Sequence, residues 1–261
     1  MQADFPFKRA SFLSTNAVFI GRSIRHSLRD VESLVMSVAL PIMLMLLFTY
    51  VFGGALDPSG NYVNYVVPGT ILLCAGFGAS STAVKVAEDM TNGVIERFRT
   101  MPIHSLSVIT GHVVASLVRN LVATGIVIGI ALLLGFRPSA GIAGWLGAAG
   151  IIVLFILMIT WLYAAIGLVA GSTSAASGYG FALLFLPYLS SAFVPTETMP
   201  GWLQGIANHQ PITPATETIR GLLAGTPAGG NAWWALGWCL AIIAVSLVWC
   251  YRAFQRKSGK R

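Results

Sequence analysis

Residues Lys85–Gly111, KVAEDMTNGVIERFRTMPIHSLSVITG, decide how the chain folds, because this charged stretch is bracketed by two apolar runs that are each long enough to cross a bilayer. It gathers Lys85, Glu88, Asp89, Glu96, Arg97 and Arg99 in a chain that is otherwise poor in charge. Asp89-Met90-Thr91-Asn92-Gly93 reads as a turn leading into a helix, since Asn and Gly accept positive φ. Val94, Ile95 and Phe98 then recur at helical spacing beside Glu96, Arg97 and Arg99, which predicts a short amphipathic helix ending before Pro102. Such a helix either docks its apolar face on a partner or lies on its own spans and the lipid headgroups. Spacing alone leaves both open.

Outward from this stretch the chain is apolar. Of 261 residues 56% are hydrophobic and 10% are charged, against about 25% charged in soluble domains. Runs that meet the requirement of about 20 residues for a helical span are Leu34–Phe52, Val63–Val84, Val113–Leu134, Trp145–Ala170, Ser174–Val194 and Trp233–Tyr251. The runs are continuously apolar rather than alternating, which excludes the wall of a β-barrel. The expected fold is therefore an all-α integral membrane protein of six transmembrane helices, with residues 1–261 forming a single transmembrane domain.

The net charge of +7 and the pI near 9.7 would suit a nucleic-acid partner, but membrane topology explains the basic residues and no nucleic acid is expected. With both termini in the cytoplasm, only Arg137 and Arg220 of the 16 Lys and Arg residues face outward. That asymmetry follows the positive-inside rule and places residues 85–111 in the cytoplasm, as a loop at the inner (plasma) membrane of the cell. Residues 11–30 carry Leu13, Ala17, Ile20, Ile24 and Leu28 on one side and Arg22, Arg25, His26 and Arg29 on the other. They predict an amphipathic elbow helix on the inner surface, in contact with membrane lipids. The first apolar run is too long for a signal-peptide core and is expected to direct insertion itself.

Within the spans, Cys74, Cys239 and Cys250 lack a paired Cys or a neighbouring His, so buried structural thiols are expected and no metal site. Pro41, Pro68 and Pro187 suggest kinks. Arg119 lies about two turns inside the third run, and snorkelling to the inner surface is the simple expectation. The fifth run carries Phe181, Phe185, Tyr188 and Phe193, which either face lipid and packing partners or line a path for an amphiphile.

The segment 195–230, PTETMPGWLQGIANHQPITPATETIRGLLAGTPAGG, holds two short helical patterns. Trp202, Leu203 and Ile206 form one apolar face; Thr213, read as a cap before Pro214, introduces a second with Ile219, Leu222 and Leu223. Neither is long enough to span and both are too apolar to be free in water, so they are expected to lie in the outer interface or to dip into the membrane between spans five and six, with Glu217 and Arg220 paired along the second helix.

Three stretches together resemble the membrane (permease) subunits of type 2 ABC exporters, and in detail the daunorubicin-resistance-like permeases. They are Tyr65-Val66-Val67-Pro68-Gly69, then Ala87 through Pro102, then Asn208-His209-Gln210-Pro211-Ile212-Thr213-Pro214 with Glu217, Ile219 and Arg220. Their order relative to the apolar runs covers almost the whole chain. The resemblance implies that the inner loop carries a coupling helix seated in a cleft of a separate ATPase subunit, with Glu88, Asp89, Gly93, Val94, Ile95, Glu96, Arg97, Phe98, Arg99 and Pro102 as the coupling residues. It implies an outer re-entrant hairpin of two short helices between spans five and six, marked by Trp202, Pro211, Pro214, Glu217 and Arg220, a second permease copy or a similar permease chain, and ATP with Mg on the partner ATPase. Asn92 stands where many relatives carry a charged residue.

No GxxxxGK[ST] loop occurs, so the chain is expected to be a transport subunit rather than an enzyme, without cofactor of its own. An ion-coupled carrier would place Asp, Glu or His near the midplane, and none of the acidic residues falls deep inside a run. A membrane enzyme would need a metal set or an intramembrane base, and His26, His104, His112 and His209 are scattered. The expected function is export of a hydrophobic or amphiphilic substrate, a drug or antibiotic first, with lipid or glycan export as the alternative within the same architecture.

Overall fold

The computed structural model describes residues 31–58, 60–92, 106–227 and 229–258. The elbow helix expected at 11–30 and the coupling helix expected between Gly93 and Pro102 lie outside the described residues. Among the described residues the chain is helical throughout. The helices are α1 (Val31–Leu46), α2 (Tyr62–Thr91), α3 (Leu106–Leu133), α4 (Ile142–Val169), α5 (Thr173–Leu183), α6 (Gly201–His209), α7 (Ile212–Leu223) and α8 (Gly229–Ser258). A π-helical turn, Leu47–Phe52, and the single turn Gly53–Leu56 prolong α1. Among the described residues five helices are long and apolar enough to cross a membrane: Val31–Leu56, α2, α3, α4 and α8.

The bundle is built around α2. Its most apolar window is 83% buried, against 22% in α1 and 22% in α8, and α1, α3, α4, α5 and α7 all pack on it. The sequence explains this position, because Gly69, Ala75, Gly76, Gly78, Ala79 and Ala83 are all buried on α2 and let neighbouring backbones come close. Between these small positions Ile71, Leu72 and Leu73 supply bulk to the same core. Helices α1 and α8, by contrast, present Met36, Met43, Tyr50, Trp233, Trp234 and Val245 outward, as suits lipid-facing surface.

Proline inside a long helix is accommodated rather than helix-ending, as α1 shows. Pro41 cannot donate to the carbonyl of Ser37 one turn earlier. That carbonyl instead accepts the thiol of Cys74 from α2, at 3.4 Å. All three cysteines are buried, as expected from the sequence.

One expected span differs in form. Ser174–Val194 is not a continuous helix: α5 stops at Leu183, a 3-10 turn follows at Leu186–Leu189, and Ser190 is extended. Pro187 removes a backbone donor inside this turn and disfavours helix in the residue before it, so the apolar run cannot carry α-geometry to its end. The segment nevertheless runs antiparallel to α2 over most of its length. Gly180 lies against Ser80, Leu184 against Gly76 and Ala192 against Gly69, and the Tyr62 hydroxyl donates to the Phe193 carbonyl at 2.6 Å. Tyr62 to Ser80 corresponds to about 27 Å of helix, so a segment that is helical only as far as Leu183 lies along α2 over about that length. At its start, Ser172 caps α5 by accepting from the Ala175 amide at 3.1 Å.

The contact at Gly69 is the tightest consequence. A Cβ there would stand 2.5 Å from the Ala192 carbonyl oxygen, closer than any side chain can sit, so glycine is what lets the irregular segment lie on α2.

Candidate functional site

The bundle has two polar ends: the hairpin end, where α2 begins at Tyr62 and α6 and α7 fold over it, and the loop end, where α2 stops and α3 starts.

At the hairpin end the irregular segment exposes carbonyls that no helix satisfies. Buried away from water, each of these needs a partner from the protein. Gln210 donates to the carbonyls of Leu186, at 3.3 Å, and Leu189. Tyr65 donates its hydroxyl to the Ser191 carbonyl at 2.9 Å, and Tyr62 serves Phe193 as above. Arg220 joins the set: its Nη2 donates to the same Ser191 carbonyl at 2.9 Å and to the Tyr65 carbonyl at 3.0 Å. Its Nη1 pairs with Glu217 one turn earlier on α7, as the sequence spacing predicted. The guanidinium carbon lies 3.8 Å from the Tyr65 ring centroid, a cation–π contact. One arginine thus ties α7, α2 and the irregular segment together.

Thr213 does not cap α7. The helix starts at Ile212 and no side chain caps it. The Thr213 hydroxyl instead donates to the Ala207 carbonyl of α6 and accepts the Ser191 amide at 3.2 Å. The tertiary demand of the buried Ser191 amide outweighs the local capping preference, because an orphaned buried amide costs more than a frayed helix start. Pro214 is buried beside it and Pro211 is half-buried, while Trp202 and Ile206 on α6 are exposed.

The four aromatic residues singled out in the fifth run form one ladder. Phe181 meets Phe185 edge-on with centroids 5.2 Å apart, Phe185 meets Tyr188 at 6.3 Å, and Tyr188 stacks on Phe193 at 5.2 Å. Phe193 stacks in turn on Phe48 of the π-helical turn, at 4.7 Å. Phe193 is buried, whereas Phe181 and Phe185 are exposed.

At the loop end Asp89 and Met90 belong to the last turn of α2, which reaches Thr91, so the turn read from Asp89 begins only at Asn92. The helix persists because polar groups in its last turns find partners: the Thr91 hydroxyl returns to the Ala87 carbonyl at 3.1 Å, and Asp89 Oδ2 lies 2.8 Å from His112 Nε2 on α3. Glu88 is exposed. Sequence reading treated Asp89 and His112 as unrelated, and their 23-residue separation gave no signal of contact. Gly93, Val94, Ile95, Glu96, Arg97, Phe98, Arg99 and Pro102 lie outside the described residues.

Arg119 does not snorkel. It is 5% exposed and crosses to α2, where its Nη2 donates to the Gly78 carbonyl at 2.8 Å and to Ser81 Oγ at 2.6 Å. Both positions lie near the middle of their helices. The inward turn wins because Gly78 leaves its carbonyl unshielded and Ser81 adds a second acceptor, so Nη2 meets two acceptors without reaching water. Asn120 is fully buried next to it, and a Cβ on Gly78 would stand 1.8 Å from its Oδ1.

These features define a multi-pass helical membrane protein with five apolar helices long enough to span among the described residues and one polar end covered by two short helices. Residues 16–224 match the family described as ABC-2 type transporter, and the chain belongs to that family, as the membrane permease subunit rather than the ATPase. It is 32% identical over 238 residues, covering 90% of this chain and 83% of the relative, to the "Daunorubicin resistance ABC transporter permease protein DrrB1" of Streptomyces coeruleorubidus. It is 26% identical over 249 residues, covering 92% of this chain and 89% of the relative, to the "Probable doxorubicin resistance ABC transporter permease protein DrrC" of Mycobacterium tuberculosis.

Proposed function

We propose that the chain is the membrane half of an ATP-driven exporter that moves an amphiphilic compound, in the manner of drug efflux. Family membership together with relatives named for daunorubicin and doxorubicin resistance carries this reading. In it the irregular segment is the fifth of six passes, both termini and residues 85–111 face the cytoplasm, and the segment 195–230 is an outer re-entrant hairpin. The exposed Phe181 and Phe185, continued by Tyr188, give an amphiphile a surface of aromatic rings. One bundle of this kind packs a solid core around α2, so the path requires a second permease copy or a similar chain beside it. A separate ATPase subunit, carrying ATP and Mg, docks on the inner loop, with the apolar face around Phe98 in its cleft.

ATP-dependent uptake of labelled daunorubicin into inverted vesicles holding the permease and its ATPase tests the proposal. Phe98→Ala removes a buried interface anchor and lowers ATPase co-purification by more than about tenfold, the effect of losing about 2 kcal/mol at a hot spot. Phe185→Ala lowers uptake while leaving the ATPase bound. Uptake that proceeds without ATP, or that neither substitution alters, overturns the reading.

A further inference from the structure

One backbone carbonyl in the middle of α2, that of Gly78, is claimed by more donors than it can serve. A carbonyl oxygen has two lone pairs. Within α2 that of Gly78 stands one turn before the Thr82 amide, its ordinary helical partner. The Ser81 hydroxyl also returns to it at 3.0 Å, and Arg119 Nη2 reaches it from α3 at 2.8 Å. The residue left out is Thr82, which is 2% exposed and whose Oγ1 has no hydrogen-bond partner among the described residues. Helical threonines commonly return the hydroxyl to the carbonyl one turn earlier. Thr70, Thr91, Thr216 and Thr218 do so here, each to the carbonyl four residues back. For Thr82 that carbonyl is Gly78. Thr124 and Thr160 also lack a partner, but of these three only Thr82 has its carbonyl already taken by other side chains. A second group at the joint is unmet: Asn120 is fully buried on α3, its Oδ1 has no partner among the described residues, and it fills the space a Cβ on Gly78 would need. The contact thus leaves a hydroxyl on one helix and an amide oxygen on the other unmet, and each costs free energy.

We infer that the Gly78 carbonyl is a two-position latch between α2 and α3. In the position described above Arg119 holds it and the Thr82 hydroxyl is displaced. In the other, Arg119 leaves for the loop-end surface, about two turns away, and the Thr82 hydroxyl closes on the freed carbonyl. The location suits a joint that bends. The hydroxyls of Ser80 and Ser81 bond back to the carbonyls of Phe77 and Gly78, an arrangement that weakens and bends helices. On the hairpin side α2 is fixed to the irregular segment at Gly69 and Gly76; on the loop side Asp89 ties it to His112 of α3. The last turns of α2 can therefore swing with α3 about Gly78. That this swing accompanies transport rests on the export reading and deepens it by naming where the spans bend.

A double-mutant cycle on the full-length permease, read as the equilibrium constant for reversible unfolding in mixed micelles, tests the latch without transport or an ATPase. Thr82→Val keeps the shape and removes the hydroxyl. In the parent chain, where that hydroxyl is unmet, the substitution should leave the unfolding constant unchanged or lower it. In an Arg119→Met chain, where the hydroxyl has taken the Gly78 carbonyl, it should raise the constant about fivefold, the share of one neutral hydrogen bond. Should Arg119→Met fail to fold, Ser81→Ala provides the second background, because it removes one acceptor of Arg119 and one competing donor; the rise expected there is about twofold. Equal effects of Thr82→Val in parent and variant backgrounds overturn the latch, as they would follow from a hydroxyl that meets a buried water in every case. In inverted vesicles holding the ATPase, Thr82→Val should lower ATP-driven daunorubicin uptake about fivefold at equal permease levels, and Thr82→Ser should restore it. Uptake unaltered by Thr82→Val overturns the part of the latch in transport. Absence of ATP-driven uptake by the parent chain counts against the export reading, and the unfolding cycle still decides the latch.

Discussion

The hairpin end and the loop end solve opposite problems. At the hairpin end an irregular backbone is buried against α2, and side chains from two helices are devoted to it: Tyr62 and Tyr65 from α2, Arg220 from α7, with Gln210 just before α7. At the loop end the described backbone is helical and satisfies itself, so a side-chain pair, Asp89 with His112, joins α2 to α3 above a small apolar cluster of Val86, Ile109, Val113 and Leu168. The difference teaches where rigidity is built in. Backbone that cannot hydrogen-bond to itself must be over-determined by its surroundings, whereas helix ends can be joined lightly.

The comparison breaks most sharply at Arg220. Arg220→Ala takes a charged donor from two carbonyls, leaving Ser191 only the Tyr65 hydroxyl, and removes the partner of the Glu217 carboxylate, and should cost about 3 kcal/mol or more. The unfolding midpoint in a fixed detergent measures this, and a midpoint equal to that of the parent chain would show that the junction is not held as described. Next is Gly69→Ala, whose new methyl meets a backbone carbonyl rather than a flexible side chain. Overpacking of this kind should cost about 2 kcal/mol, and the same substitution at Gly54, where a Cβ meets nothing within 4 Å, serves as the neutral control in the same assay.

Tyr62→Phe keeps the ring and removes only the hydroxyl that serves Phe193, for an expected loss of about 1 kcal/mol. Hydrogen exchange at residues 190–194 should rise in this variant while exchange in α3 stays level; a uniform rise would mean that Tyr62 acts on global stability instead. The smallest effect belongs to the loop end. Asp89→Asn loosens a partly exposed pair and should cost about 0.5 kcal/mol, less at high salt. If Asp89→Asn proved as costly as Arg220→Ala, the contrast between the two ends would fail.

Much of the architecture was legible in residues read one stretch at a time. Apolar length located α1, α2, α3, α4 and α8, and helical periodicity with Pro and Gly located the paired helices α6 and α7. The Glu217–Arg220 pair followed from its spacing on one helix. The broken fifth segment was half legible: Pro187 was visible as a kink, but continuous hydrophobicity cannot distinguish a helix from an irregular run whose carbonyls are covered by neighbours. Thr213 was misassigned for the same reason, since its local sequence offers a cap and only the buried Ser191 amide redirects it.

What the sequence determined by itself is everything set by local period and by transfer from water to lipid: the membrane class, the long helices and the short hairpin helices. Tertiary structure alone decided which polar groups meet. Arg119 turning to Gly78, Asp89 to His112, and Arg220 to Tyr65 and Ser191 each join residues on different elements, at separations that follow no helical repeat. In a low-dielectric interior a polar side chain goes to whichever acceptor the packing leaves uncovered, and that acceptor exists only after glycine and proline have determined how closely the helices approach and where the backbone breaks.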